Sequence, residues 1–245
     1  MYWALYKTKI SATFIAMFAM IYSLAQPMDT VASKEKIWKK AIVPVSLITI
    51  GLIAIDEDNF ISRFHVLEER QEHFSAFSSH LDDYLQYAPI AVGYGLEIAG
   101  VKGKNSAIEK SILLLKSELL MCTIVTILKN TTNVQRPDSS SYNSFPSGHT
   151  AQAFVAATFL HKEYGSKSIW YSIGGYTIAT AIGTFRVLNN RHWISDVLVG
   201  AGVGILSTEL VYATHQYKWT KRKMKLAVVP TAGKKSYGLY ACLKF

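Results

Sequence analysis

Three short groups of polar residues, separated by apolar stretches of helical length, constrain this chain more than any other feature. The groups are Lys129 with Arg136-Pro137, then Pro146-Ser147-Gly148-His149, then Arg186 with His192 and Asp196. If the intervening helices alternate in direction, all three groups lie at the same end of a helical bundle. Together they supply three cations, two histidines and one carboxylate, an inventory that suits binding a phosphate and attacking it without a metal.

Composition restricts the class of protein. Fifty per cent of the 245 residues are hydrophobic, yet the mean hydropathy is only +0.16, low for a chain made mostly of membrane spans and high for an ordinary soluble enzyme. The net charge of +9 comes largely from basic clusters between apolar stretches. This arrangement favours membrane topology signals over nucleic-acid binding. Cys122 and Cys242 lack metal-binding or paired spacing, which predicts two isolated, buried thiols.

The N-terminal residues 1–25 resemble a secretory signal peptide. Lys7 and Lys9 precede a largely apolar stretch, and small residues at Ser23 and Ala25 stand where a cleavage site requires them. An uncleaved anchor helix is the alternative. We favour cleavage because the apolar stretch is shorter than the ~20 residues of a membrane-spanning helix.

The rest of the chain is predicted to be an all-α bundle, residues 26–224, followed by a short β-hairpin tail at 225–245, where Leu226–Pro230 and Tyr237–Phe245 have strand-like patterns. The bundle contains about five to six apolar helices. They are expected at 41–56, 88–101, 111–128, 147–161, 169–185 and 195–213. The first, 41–56, is about 24 Å long, which is short of the ~30 Å hydrocarbon core of a membrane.

Residues 57–87 carry apolar stripes at helical spacing, with acidic side chains such as Asp82 and Asp83 on the polar faces. The pattern predicts an amphipathic surface helix that packs on its own bundle. The functional alternative is an interfacial helix beside the mouth of the site, where it would meet acyl chains.

Loop charge predicts the orientation of the bundle. Lys102, Lys104 and Lys110 lie in one short loop, and further lysines follow at 162–167 and 218–225, all on the side opposite the three polar groups. The positive-inside rule then places the polar groups outside the cytoplasm. A cleaved signal conflicts with this if 41–56 crosses inward. The conflict disappears if 41–56 lies shallowly in the membrane, if 1–25 is no signal, or if the bundle is periplasmic and only membrane-associated.

The chemistry of the polar groups is that of phosphoryl transfer. Lys129, Arg136 and Arg186 can hold phosphate oxygens, and Ser147 with Gly148 begins a helix whose free amides favour an anion. His192 and Asp196, one helical turn apart, can share a face, so the carboxylate can orient the imidazole as a nucleophile. His149 is then placed to protonate the leaving oxygen.

Each of these residues alone could have a structural role or be a solvated charge. A lone histidine in an apolar protein is more often structural, which is how we interpret His65, His73, His80, His161 and His215. A lone Lys or Arg at a helix end is usually solvated. The conjunction of three ordered groups, each with fixed internal spacing at an apolar helix end, favours a site.

This pattern, Lys-x6-Arg-Pro, Pro-Ser-Gly-His and Arg-x5-His-x3-Asp, resembles the type 2 phosphatidic acid phosphatase (PAP2) superfamily. The resemblance spans residues 129–196 and implies that His192 forms a phosphohistidine supported by Asp196, that His149 protonates the leaving alcohol, and that neither metal nor cofactor is needed. It implies phosphate binding by Lys129, Arg136, Ser147, Gly148 and Arg186. One position departs from the family, which usually has Ser where this chain has Phe185.

The resemblance and the surrounding segments predict a phosphatase of the bacterial inner membrane whose site faces the periplasm and whose partner is a phosphorylated membrane lipid. Lipid A, at its 4′-phosphate, is the first candidate substrate, and undecaprenyl pyrophosphate is the second. A periplasmic, membrane-associated acid phosphatase is a further alternative. A vanadate-dependent haloperoxidase is disfavoured by the signal and apolar helices, and a non-catalytic envelope protein by the filled catalytic positions.

Overall fold

The computed structural model describes residues 31–56, 62–215, 225–233 and 236–244, with side chains described for the two stretches from residue 39 to residue 215. Within these residues the chain forms a helical bundle, and the predicted helical class is confirmed. The helices are α1 Val31–Ile53, α2 Arg63–His73, α3 Leu81–Leu85, α4 Ala88–Ile98, α5 Ala107–Thr132, α6 Gly148–Tyr164, α7 Ile169–Leu188 and α8 Ile194–Thr214. Two strands, β1 Lys225–Gly233 and β2 Ser236–Lys244, pair antiparallel, with Lys225 opposite Lys244.

Helix α8 lies at the centre of the bundle and packs against α1, α5 and α6. Small residues on α8 let its neighbours approach closely. A Cβ on Gly200 would lie 2.6 Å from the carbonyl oxygen of Ser147, and one on Gly204 would overlap the carbonyl oxygen of Ala151. The backbones of α6 and α8 therefore touch along two turns, and the two helices run parallel.

The neighbouring helices alternate in direction. Helix α7 is antiparallel to α6, because Ser172 Oγ lies 2.8 Å from His161 Nδ1 near one end while Gly183 packs against Thr150 near the other. Helix α5 is antiparallel to α6 as well. The pairs that show it are Glu118 with Gln152 and Val125 with Gly148. The C-termini of α5 and α7 and the N-termini of α6 and α8 thus meet at one end of the bundle, here called the site end, as the sequence predicts.

Helix α1 is longer than the predicted 41–56 and begins at Val31. The residues before 41 are polar but include good helix formers such as Ala32 and Glu35, so helical propensity extends the element beyond its apolar part. Its 23 residues span about 35 Å. Gly51 of α1 packs on Val199 of α8, so the C-terminus of α1 lies at the site end.

Within the predicted amphipathic segment 57–87, the described residues from 62 onward form two short helices in place of one. Helix α2 has no buried residue, which agrees with a surface helix, but Asp82 of α3 is only 1% exposed, so its placement on a solvated face is wrong. The segment is fastened to the end of α7. Arg70 Nε donates to the carbonyl of Leu188 at 3.0 Å, and Asn189 exchanges two hydrogen bonds with the backbone of Ser79.

The opposite end, here called the lysine end, carries the loop between α4 and α5 with Lys102 and Lys104. Lys110, predicted to belong to this loop, is instead fully buried, because Ser106 caps α5 and places Lys110 inside the helix. Its Nζ lies 2.7 Å from Glu97 Oε2. Residues 1–30, including the predicted signal peptide, lie outside the described residues.

Two of the described helices, Ala107–Thr132 and Ile194–Thr214, are long and apolar enough to cross a membrane. Most of Ile194–Thr214 is buried inside the bundle, whereas Ala107–Thr132 exposes much of its surface. The two helices are identified as candidate membrane spans by their length and composition.

We expect Gly204→Ala to destabilise the bundle, since its methyl group overlaps backbone of α6 and overpacking costs about 1–3 kcal/mol. Gly174→Ala on α7 is the matched control. It has no atom within 4 Å of the new Cβ and should leave the melting temperature unchanged or raise it. Thermal unfolding followed by circular dichroism compares them, and equal melting temperatures for the two variants would contradict the close α6–α8 contact.

Candidate active site

The end of α5 places the first predicted cation. Asn133, in the left-handed conformation at φ 48°, ends the helix, so Lys129 lies in its last turn. The ammonium of Lys129 donates to the carbonyl oxygens of Asn143 and Ser144. It therefore connects α5 to the loop that leads into α6, and it also interacts electrostatically with Arg136 and Asp196.

The start of α6 is fixed by Ser147. Its hydroxyl oxygen accepts from the amide of Thr150 at 3.4 Å and from the Thr150 hydroxyl at 2.9 Å. The sequence suggests that the amides at this helix start are free to bind an anion. The Ser147 amide is not, because it donates to the carbonyl of Asp196 at 3.0 Å. Gly148 and His149 follow in the first turn, where backbone amides lack helical acceptors. A Cβ on Gly148 would meet nothing nearer than 3.9 Å, which leaves room beside this turn.

The turn between α7 and α8 joins Arg186 to His192. Asn190, at φ 60°, reverses the chain, so that the carbonyl of Arg186 accepts from the amides of Arg191 at 3.0 Å and His192 at 3.3 Å. Arg186, in the last turn of α7, is 7% exposed. The cation and the predicted nucleophile are thus held together by local backbone geometry.

His192 and Asp196 form the buried pair that the spacing predicts. His192 is 2% exposed, and its Nδ1 lies 3.4 Å from Asp196 Oδ2. The same carboxylate oxygen accepts from Ser144 Oγ at 2.5 Å and from the Trp193 amide at 3.0 Å. Ser144, which sequence reasoning missed, orients the carboxylate. The sequence feature that could have identified Ser144 is its position three residues before Ser147.

Burial lowers the pKa of His192 to about 4, although its bond to Asp196 opposes the change. The imidazole is therefore neutral at neutral pH. Because Nδ1 faces Asp196 and Ser144, Nε2 is the nitrogen left to act as a nucleophile.

The two arginines carry guanidinium nitrogens that the described part of the chain leaves without an acceptor. Arg136 Nε and Arg186 Nε are both buried and lack hydrogen-bond partners there. Arg136 also interacts electrostatically with Arg186, which places the two side chains close together. Buried N–H groups of this kind are costly unless an acceptor arrives, and phosphate oxygens are suited to that position.

Two acidic residues that the sequence pattern placed on the polar face of an amphipathic helix lie at the site. Asp82 Oδ2 is 2.6 Å from Arg186 Nη1, and Asp83 Oδ1 is 2.9 Å from His149 Nε2. No pattern in the sequence separates this Asp-Asp pair from the other acidic residues of the segment. The structure brings together all the predicted site residues, and it adds Ser144, Asp82 and Asp83.

Residues 111–220 match the PAP2 superfamily model. This match covers less than half of the 245 residues, and within it the chain is similar to that superfamily. A lipid A 1-phosphatase from Porphyromonas gingivalis is 38% identical over 195 residues, which cover 74% of this chain and 41% of that protein. The bacitracin transport permease protein BcrC from Bacillus licheniformis is 32% identical over 99 residues, 38% of this chain and 47% of that protein. The chain thus spans less than half the length of these relatives.

One solved structure shares the fold of this chain. A transmembrane PAP2 type phosphatidylglycerolphosphate phosphatase from Bacillus subtilis has a TM-score of 0.52 at 23% identity, covering 69% of this chain and 94% of its own. This likeness shows a common fold. LpxE from Aquifex aeolicus has a TM-score of 0.46 at 26% identity, covering 60% of this chain and 93% of its own.

Phe185, the departure from the PAP2 pattern, has a packing role. Its ring lies 5.8 Å from that of Phe77, between centroids. Phe185 thus supplies an apolar contact to Phe77 where the pattern has a hydroxyl beside Arg186. Among the described residues, no group of three or more His, Cys, Asp or Glu side chains could hold a metal ion.

The pKa values of the two histidines predict an acidic optimum for kcat/KM, which reports the free enzyme. Activity should rise as His192 becomes neutral, near pH 4. It should fall again as His149 loses its proton, because burial and then Arg186 lower the pKa of His149 below 6.5. The pH profile of phosphate release measures both limbs. His65→Asn, which alters an exposed histidine of α2, should leave the profile unchanged, and an alkaline optimum in the unaltered protein would contradict the assignment.

Proposed function

We propose that this protein is a metal-independent phosphatase that removes phosphate from a membrane lipid through a phosphohistidine. The observation that carries the proposal is the buried His192–Asp196 pair at the same end of the bundle as three cations and His149. The cations neutralise phosphate, the carboxylate orients the imidazole, and His149 faces the site from a different helix.

The reaction follows from these positions. His192 Nε2 attacks phosphorus, and the bond from phosphorus to the leaving oxygen breaks as the P–N bond forms. His149 gives its proton to that oxygen, which leaves as an alcohol. Water then attacks the phosphohistidine, passes a proton to His149, and releases inorganic phosphate with His192 restored. Lys129, Arg136, Arg186, the Ser147 hydroxyl and the backbone at Gly148 hold the phosphate oxygens throughout.

A lipid substrate is supported by the outer faces of the bundle. Large apolar side chains are exposed on α1, α5 and α7, as expected of helices whose outer faces contact lipid. Examples are Ile42, Val43, Leu115, Leu119, Ile169 and Trp170. Cys122, expected to be buried, is also exposed on the outward face of α5. We infer that the bundle is membrane-embedded, with the lysine end on the cytoplasmic side and the site end facing the periplasm.

Lipid A is the first candidate substrate. The named relative with the larger overlap is a lipid A 1-phosphatase, which favours the 1-phosphate. The sequence analysis favoured the 4′-phosphate, so the test must distinguish loss of the 1-phosphate from loss of the 4′-phosphate. Purified protein would be incubated with lipid A in the presence of EDTA, and mass spectrometry of the product would locate the lost phosphate. Release from either position, with inhibition by vanadate, supports the proposal, and dependence on an added metal contradicts the mechanism.

Replacement of the nucleophile tests the covalent route. His192→Ala should lower kcat by on the order of 10³-fold or more, because the step that forms the phosphohistidine is removed. His73→Ala, at an exposed histidine of α2, should retain activity. Phosphate release and acid-labile labelling with radioactive substrate would be compared, and an active, labelled His192→Ala protein would exclude this mechanism.

An open, largely apolar strip along one face of α7, here called the α7 groove, is placed to receive an acyl chain. It ends at Phe185, directly before Arg186, and is lined by residues that include Ile169, Ile173, Thr177, Thr180 and Ala181. From Ile169 to Phe185 it extends about 24 Å, longer than the ~15 Å depth of one leaflet.

We expect Ala181→Trp to lower activity towards a long-chain lipid phosphate, because the indole fills the groove, and to spare p-nitrophenyl phosphate, which has no chain. Ile98→Trp is the matched control, since Ile98 is an exposed apolar residue at the lysine end. Phosphate release from both substrates would be measured for both variants. Equal losses on the two substrates would show that the groove does not select the chain.

A further inference from the structure

Helix α3 places two carboxylates at the site, and they have different surroundings. Asp82 is buried behind Arg186, with Oδ2 2.6 Å from Nη1 and Oδ1 accepting from Asn189 Nδ2 at 3.3 Å. Asp82 therefore fixes the arginine. Asp83, the next residue, faces the mouth of the site with 45% of its side chain exposed.

Asp83 contacts the predicted general acid at its proton-carrying atom. Its Oδ1 lies 2.9 Å from His149 Nε2 and 3.8 Å from Arg186 Nη1, while Oδ2 lies 3.7 Å from Nδ1 of the exposed His80. A carboxylate thus lies between the acid and a phosphate-binding cation, in the region that the leaving oxygen must enter.

The position of Asp83 is fixed by the segment that carries it. Asn189, at the end of α7, accepts from the Ser79 amide at 2.9 Å and donates to the Ser79 carbonyl at 2.8 Å. Phe77 packs on Phe185 of the same helix. The contact with His149 is therefore built from two anchors on α7, unlike a pair of freely moving surface side chains.

We propose that Asp83 is a positioning residue for the general acid, holding the ring of His149 and its Nε2 proton until the leaving oxygen replaces the carboxylate. The inference rests on the proposed phosphatase function. In the free enzyme Nε2–H donates to Asp83. When phosphate binds, the proton moves from Nε2 to the leaving oxygen as the P–O bond breaks, His149 becomes neutral, and Asp83 stays ionised.

The charges around His149 predict the direction in which its pKa changes when Asp83 is replaced. The charged groups that face His149 are Arg186 from α7 and Asp82 and Asp83 from α3, and His80 faces Asp83 from the solvent side. Burial and Arg186 lower the pKa of His149, while both aspartates raise it. Removing the charge of Asp83 lowers this pKa further, so the acid loses its proton at a lower pH.

The test compares two leaving groups with the full-length protein in detergent micelles. A lipid phosphate releases an alkoxide that needs a proton, whereas p-nitrophenyl phosphate releases a stable phenolate. For Asp83→Asn we expect kcat on the lipid to fall about tenfold, a fraction of what general acids contribute, and its alkaline limb to move to lower pH. On p-nitrophenyl phosphate kcat should change less than about twofold. Asp83→Glu should restore most of the lipid activity.

The matched control is Glu69→Gln, which removes a carboxylate that lies 3.6 Å from Nδ1 of the exposed His73. It should change neither kcat on the two substrates nor the pH profile. Equal losses on both substrates with an unmoved alkaline limb, or no loss at all, would overturn the role of Asp83. An unaltered protein that releases phosphate from neither substrate would refute the phosphatase function itself. Melting temperatures of the variants separate misfolding from chemistry.

Discussion

The close contact between α6 and α8 is the constraint on which the rest of the structure depends. Glycines at 200 and 204 let the two backbones touch, and the Ser147 amide then reaches the carbonyl of Asp196. This single hydrogen bond joins the first turns of two parallel helices. It fixes the distance between the helix that carries His149 and the turn that carries His192. Without that contact, an acid and a nucleophile on separate elements would have no common frame.

The electrostatics of the site end follow from burial in an apolar bundle. Three cations lie near one another, and two of them leave guanidinium N–H groups without acceptors among the described residues. Asp82 and Asp196 offset part of this charge from behind, each held by hydrogen bonds. The remaining unpaired donors are costly while buried, and an anionic ligand would supply the acceptors that they lack.

The sequence predicted the site better than its surroundings, for a physical reason. Lys129, Ser147, Arg186, His192 and Asp196 lie next to helix ends, and helical periodicity with short turns fixes where helix ends meet. Asp82 and Asp83 depend on how a loop-rich segment folds back over α7, through Asn189 and Phe77. Such contacts join residues more than a hundred positions apart and leave no periodic trace. The burial of Lys110 was missed because a capping serine extends α5 by one turn.

The buried network around Lys110 at the lysine end differs from the surroundings of the two arginines at the site end. At the lysine end, the Lys110 ammonium has both Glu97 and the Tyr164 hydroxyl as partners, and Glu163 accepts from Asn105 and Tyr212. These networks are satisfied within the chain, so they rigidify α4, α5, α6 and α8 relative to one another. At the site end, Arg136 in the loop after α5 and Arg186 on α7 present Nε donors that the described residues do not satisfy. The network at the lysine end connects α4, α5, α6 and α8 to one another, and an acceptor such as a phosphate oxygen would satisfy the two arginine donors at the site end.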